Sequence, residues 1–153
     1  MAINRGKQFE AVVREAFEKV DGCSVDRLHD QMSGFKGSQN ICDFIVYKYP
    51  HQFYIECKAV HGSTLLFSNI TDNQWKGLLK KSEIPGVIAG IMCWWVDKNI
   101  TRFIPIQELE SFKNFLPDSR SIRYDLDYMG VRINGIKKRV FFDYDMEEFL
   151  NGF

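Results

Sequence analysis

Three charged side chains stand where charge is least expected. Asp43 falls inside the apolar run ICDFIVY, and Glu56 and Lys58 fall two residues apart inside QFYIECKAV. An unpaired carboxylate in such surroundings is costly, so a cation, a metal ion or hydrogen-bond donors normally accompany it. Side chains alternate across a strand, which puts Glu56 and Lys58 on one face and Ile55 and Cys57 on the other. If the two runs pair through Lys48-Tyr49-Pro50-His51, Asp43 comes alongside them, and two carboxylates and an ammonium converge. That set suits phosphodiester hydrolysis. Asp43 and Glu56, with the backbone carbonyl of Cys57, would hold Mg²⁺, with Mn²⁺ as a substitute, while Lys58 orients the attacking water or offsets charge on the phosphate. The plainer alternative is an ion pair at a strand end.

Other positions admit two readings each. Glu10 falls at the margin of an apolar helical stripe, from which it can reach a site beside a sheet; alone, it reads more simply as a surface partner for Arg14 at i+4. Gln74 closes the capping pattern Thr71-Asp72-Asn73-Gln74, or holds a water or phosphate near the metal. Lys76, Lys80 and Lys81 follow on the same helix, as a solvated face or as a stripe tracking phosphates. Arg5, Lys7 and Arg14 can contact phosphates beside Glu10, and Lys36, in Ser33-Gly34-Phe35-Lys36-Gly37, can do so just ahead of Asp43. His29, His51 and His61 are scattered and receive no role.

The elements that must position these residues follow from periodicity. Phe9, Val12, Val13, Ala16, Phe17 and Val20 recur at helical spacing and predict a helix over Asn4–Lys19. The polar stretch from Arg27 to Asn40 reads as a loop or arm. ICDFIVY and QFYIECKAV form a hairpin, almost continuously apolar as in strands covered on both faces. A second helix spans Ser68–Ser82, VIAGIMCWWV and TRFIPI are strands three and four, and Ile106–Phe115 is a short helix after Pro105. Trp94 and Trp95 pack the two sides of the sheet. Asn134-Gly135 suggests a turn between Val131 and Asp143. The sum is a mixed sheet with helices packed on it, in one domain over residues 1–153.

The 153 residues carry 20 basic and 20 acidic side chains, so any surface for a polyanion must be local rather than a whole-molecule field. The four cysteines lack the spacing of a zinc site and read as reduced thiols of a cytoplasmic protein. The first seventeen residues lack the apolar core of a signal peptide, and no run is long enough for a membrane span, so no membrane partner is expected.

Asn4-Arg5-Gly6 followed by Glu10, Asp43 ahead of a hairpin, Glu56-Cys57-Lys58, and Asp72-Asn73-Gln74 opening a helix stand in an order and spacing that resemble the RecU family of Holliday junction resolvases, within the PD-(D/E)XK nuclease superfamily. The resemblance runs from Asn4 to about Lys81. It implies an α/β, restriction-endonuclease-like fold with a mixed central sheet flanked by helices. It also implies a Mg²⁺ site of Glu10, Asp43 and Glu56, with Lys58 at the catalytic water and Gln74 close by, and a homodimer that nicks branched DNA on two strands during recombination and repair. One feature departs from that family. RecU proteins carry a long stalk between the first strand and the aspartate, whereas here only about His29 to Asn40 is available, which suggests a compact, phage-type relative with looser choice among branched DNAs. Arg102–Phe153 holds no motif tied to chemistry, although Phe112, Phe115, Phe141, Phe142 and Phe149 are candidates for a dimer interface. Two other functions share the same residues: a restriction- or repair-type nuclease acting on flaps or duplex DNA, and a non-catalytic DNA-binding module of this fold. The intact Asp43, Glu56 and Lys58 speak against the last.

Overall fold

The computed structural model describes residues 4–28 and 40–153. Helical spacing of apolar residues produces α1 (Arg5–Glu18), which buries Phe9, Val13, Ala16 and Phe17 and is capped by the Asn4 side chain accepting from the Lys7 N–H at 3.1 Å. β1 (Cys23–Arg27) pairs antiparallel with β2 (Phe44–Lys48), and β2 turns at Tyr49-Pro50, a cis peptide, into β3 (His51–Val60). The short β4 (Thr64–Leu66) leads through a 3-10 turn, Phe67–Asn69, to α2 (Asp72–Ser82). Both halves of the expected capping box are made: the Thr71 hydroxyl accepts from the Gln74 N–H, and the Gln74 side chain accepts from the Thr71 N–H. The helix thus starts at Asp72 rather than Ser68, because that box fixes its first turn.

After α2 the chain enters β5 (Val87–Trp95), parallel to β3, then returns as β6 (Ile100–Pro105), antiparallel to β5, and runs into α3 (Ile106–Phe115). β7 (Ser121–Arg123) pairs with β4, while β8 (Val131–Arg132) adds the last strand to the main sheet. β9 (Gly135–Lys137) and β10 (Phe142–Tyr144) form a separate hairpin before α4 (Met146–Asn151). The main sheet therefore has the mixed order β1-β2-β3-β5-β6-β8.

Its two faces support two cores. α1, α4 and the β9–β10 hairpin cover one, with Phe44, Phe53, Ile55, Cys57, Met92, Trp94 and Phe103 beneath them. α2, α3 and the β4–β7 pair cover the other, over Ile91, Cys93, Trp95 and Ile104. Burial on both faces explains why β3 and β5 read as near-continuous apolar runs, and Trp94 and Trp95 divide between the faces as their adjacency requires. Among the described residues no helix is long and apolar enough to cross a membrane.

Two elements lack a sequence signal, and two local expectations are refined. β1 is an ordered edge strand, invisible in CSVDR because only Cys23 and Val25 turn inward and both stay partly exposed. Asn134-Gly135 is not a hairpin turn: it separates β8 and β9, which belong to different sheets, and the true turn is 138–141, closed by the Lys138 N–H donating to the Phe141 carbonyl at 2.8 Å. α4 completes the first core with Met146, Phe149 and Leu150. Of the aromatic residues considered for an interface, Phe149 is internal, Phe112, Phe141 and Phe142 pack against the cores, and Phe115 stands in solvent.

Gly90 sets the spacing between β5 and β6. A Cβ there would lie 2.3 Å from the Ile104 carbonyl oxygen and 2.9 Å from the Phe103 ring and the Pro105 Cα. We expect Gly90→Ala to cost roughly 2–3 kcal/mol by forcing the strands apart, seen as a thermal midpoint lower by about 5–10 °C. An unchanged midpoint would mean that the sheet yields at this position.

Candidate active site

Asp43 lies one residue outside β2, not within a strand, and three hydrogen bonds fix it. Its N–H donates to the Ile55 carbonyl at 3.1 Å, its carbonyl accepts from the Leu28 N–H at 2.8 Å, and its Oδ2 accepts from the Cys57 N–H at 2.8 Å. Cys57 has no backbone partner on this edge because β2 has already begun its departure, so a side chain takes the place of a ladder rung. N–H and C=O of a strand residue leave on the same edge, and the Cys57 carbonyl therefore faces the Asp43 side. α2 braces the approach to this corner. Gly77 admits the side chain of Ile41, whose Cγ2 would lie 2.2 Å from any Cβ at that position, and Asn73 Nδ2 donates to the Asn40 carbonyl at 3.4 Å.

Glu56 and Lys58 project from β3 toward the α2 face, as the strand period requires. Glu56 is only 5% exposed, and Lys58 Nζ lies 3.6 Å from its Oε1. The same ammonium donates to Gln74 Oε1 at 3.5 Å, the oxygen that also accepts the Thr71 N–H at 3.1 Å. The two sequence-level readings of Gln74 thus coexist in one atom: it caps α2 and steers Lys58.

Burial raises the pKa of Glu56 to about 8, with the negative charge of Asp43 adding to the rise and Lys58 opposing it. Asp43 is also raised, chiefly by desolvation, although the Cys57 N–H pulls it down; the charge of Glu10 pushes it up. The two carboxyls face each other closely enough for a protonated Glu56 to donate to Asp43. The neighbouring Cys42 thiol is pushed up to about 12 by burial and donates to the Phe44 carbonyl at 3.3 Å, so it acts as a small apolar side chain.

Glu10 comes to this corner from the other face of the sheet. Its Oε2 is 2.5 Å from Arg27 Nη2, so the alternative pairing with Arg14 as a surface partner is not made, and Arg14 binds Glu18 at 3.2 Å instead. Arg27, the last residue of β1, carries no spacing signal in the sequence, and only the β1–β2 register, Arg27 opposite Phe44, brings it here. Lys7, Arg14 and Arg27 line a hollow of about 210 Å³ together with Glu10, Ala11 and Glu15. Arg5 hydrogen-bonds Gln8 at 3.2 Å. On α2, Lys76 and Lys80 are exposed, whereas Lys81 lies over the Tyr54 ring at 5.4 Å and leaves the stripe. Lys36 lies outside the described residues.

Two mutually repelling carboxylates, Glu56 buried and Asp43 half-buried, beside a single ammonium are what a hard divalent cation relieves. Mg²⁺ is commonly held by one or two carboxylates while keeping several waters, and the oxygen donors of Asp43 and Glu56 fit that mode. Among the described residues no three of His, Cys, Asp and Glu are gathered as a ready ligand set, since Glu10 is held by Arg27.

No protein-family model and no curated relative matches the sequence. Among solved structures, the chain is similar to Hjc, a Holliday junction resolvase from the archaeal hyperthermophile Archaeoglobus fulgidus, at 20% identity and a TM-score of 0.57 over 83% of this chain and 95% of that one. The likeness is one of fold: a mixed central sheet flanked by helices.

A raised carboxyl pKa means that the folded state binds the proton more tightly than the unfolded chain, so stability falls with pH across the interval between the two values. For Glu56 that interval runs from its ordinary value of 4.5 to about 8. In chelator, the thermal midpoint of the wild type is expected to fall across this interval more steeply than that of Glu56→Gln. Parallel curves for the two proteins would show that Glu56 is not held protonated by its surroundings.

Proposed function

We propose that this protein is a Mg²⁺-dependent DNA endonuclease that resolves four-way junctions in recombination and repair, acting as a homodimer. The observation that carries this reading is the desolvated pair Asp43 and Glu56 with Lys58 at one sheet corner, in a fold similar to that of a junction resolvase. The motif order from Asn4 to Lys81, which resembles RecU, supports it as well.

In this reading Asp43, Glu56 and Glu10 would hold the metal, with the Cys57 carbonyl as a further oxygen donor. Mg²⁺ bound there supplies charge neutralisation at the scissile phosphate and acidity for a water beside it. The chain does the rest by orientation. The Cys57 N–H fixes the direction of the Asp43 carboxylate, and Gln74 and Glu56 hold the Lys58 ammonium between them, aimed at the attacking water or at a phosphate oxygen as charge grows. Arg27 keeps Glu10 in place against the repulsion of the other two carboxylates. One chain carries one such cluster, so cutting two strands of a two-fold symmetric junction calls for two chains related by the same symmetry.

Labelled four-way junction, flap and linear duplex, incubated with and without Mg²⁺, test the activity. Asp43→Asn and Glu56→Gln are expected to abolish cleavage while retaining DNA binding, and Lys58→Ala to lower the rate by roughly 10²–10³-fold. Normal cutting by either carboxylate variant would remove the proposed site, and preference for flap or duplex would move the reading to a repair-type nuclease. Mg²⁺ is also expected to raise the thermal midpoint of the wild type but not of Asp43→Asn, since a ligand bound only by the folded state stabilises it. Sedimentation at micromolar concentration reads the assembly: a mass near 17.9 kDa with and without junction counts against paired cutting.

A further inference from the structure

The β9–β10 hairpin carries Lys137, Lys138 and Arg139 in succession at its exposed tip, and among the described residues none of the three makes an ion pair. In a chain of zero formal net charge such a run is a local concentration of positive charge. Its base is firmly built. Phe141 packs on Trp94 with ring centroids 5.5 Å apart, Phe142 stacks on Tyr144 at 5.7 Å, and the Lys138 N–H closes the turn on the Phe141 carbonyl. Acidic neighbours are few: Glu15 and Asp143 line a hollow with Lys138, and Asp143 is already held by Lys19 at 3.3 Å.

The hairpin is also in the right place. Trp94 is the register partner of Ala59, the residue after Lys58, so Phe141 sits at the level of the active site along the sheet. Arg5 ties it to the same corner from α1: its guanidinium lies over Phe141 at 5.7 Å, and five residues further on, about 7.5 Å along the helix, Glu10 acts on Asp43. Strand and helix spacings put the tip within roughly 20 Å of Lys58, a span along which a duplex presents on the order of ten phosphate charges.

We propose that this hairpin is a phosphate-binding finger that grips the backbone of one nucleic-acid arm beside the active site, with Lys137, Lys138 and Arg139 as its contacts and Arg5 at its base. The proposal rests on the nuclease reading for the identity of the polyanion, and it assigns a role to a part of the chain in which the sequence shows no chemical motif. Contacts of this kind position a substrate and carry no base sequence information.

The test is the full-length triple variant K137A/K138A/R139A beside wild type, with binding to a short duplex and to a four-way junction followed in chelator across 50–200 mM salt. Each lost phosphate contact removes about 0.9 from the slope of log affinity against log salt. The variant is therefore expected to bind both DNAs at least about tenfold more weakly at the low-salt end, with a slope shallower by roughly 2–3. Its thermal midpoint should match wild type within about 2 °C, because the three side chains are exposed. An unchanged slope overturns the finger while leaving the nuclease reading intact. A hairpin-dependent slope in a protein that never cuts sustains the finger and removes the nuclease. Absence of any duplex binding, or binding only to phosphatidylserine vesicles run in parallel, overturns the proposal outright.

Discussion

The hydrogen bond from the Cys57 N–H to the Asp43 carboxylate stands at the point where β2 parts from β3. A strand interior cannot leave a buried N–H unpaired without a cost on the order of 1–3 kcal/mol, and here the acceptor is a side chain rather than a backbone carbonyl. The substitution satisfies the sheet and at the same time delivers a carboxylate to the inside edge of the fold. Glu56, the residue before Cys57, then necessarily faces that carboxylate, and the mutual repulsion and desolvation of the pair follow from adjacency alone. Lys58, two residues on and on the same face, is the nearest compensating charge. Most of the chemistry of the corner is set by one rung of the ladder.

The corner draws on both faces of the sheet. Cys57 buries its thiol under α1 while Glu56 and Lys58 point toward α2, so the helix that steers Lys58 and the helix that brings Glu10 lie on opposite sides. Only at the end of a strand can groups from both sides meet, which accounts for the position of Arg27 at the last residue of β1. Gln74 shows the same economy on a smaller scale, since one oxygen completes a helix cap and orients an ammonium.

Much of this was legible in the chain. Asp43, Glu56, Lys58 and Gln74 could be gathered from strand period, hairpin and capping box, because each is a local rule with a fixed spacing. α3 likewise has the expected bounds, Ile106–Phe115, since Pro105 marks its start. What escaped detection depends on tertiary pairing. β1 is too short and too polar to announce itself, and without it nothing connects Arg27 to Glu10, so the i+4 neighbour Arg14 looked like the natural partner. The β9–β10 hairpin was misplaced for a related reason: Asn134-Gly135 has hairpin chemistry, but the register of Arg132 with Arg102 takes β8 into the main sheet and forces the turn later.

The bond between the Leu28 N–H and the Asp43 carbonyl bears on how far the intervening chain can vary in length. It holds together the two points at which the chain leaves β1 and returns toward β2, and Asn40 and Ile41, held on α2, share in fixing the approach to Asp43. Loop-closure entropy grows only with the logarithm of length, about 0.6 kcal/mol for each doubling. Changes of length in the sequence between Leu28 and Asn40 therefore carry only a small chain-entropy cost, and the Leu28–Asp43 contact and the anchors of Asn40 and Ile41 on α2 tolerate them at little penalty.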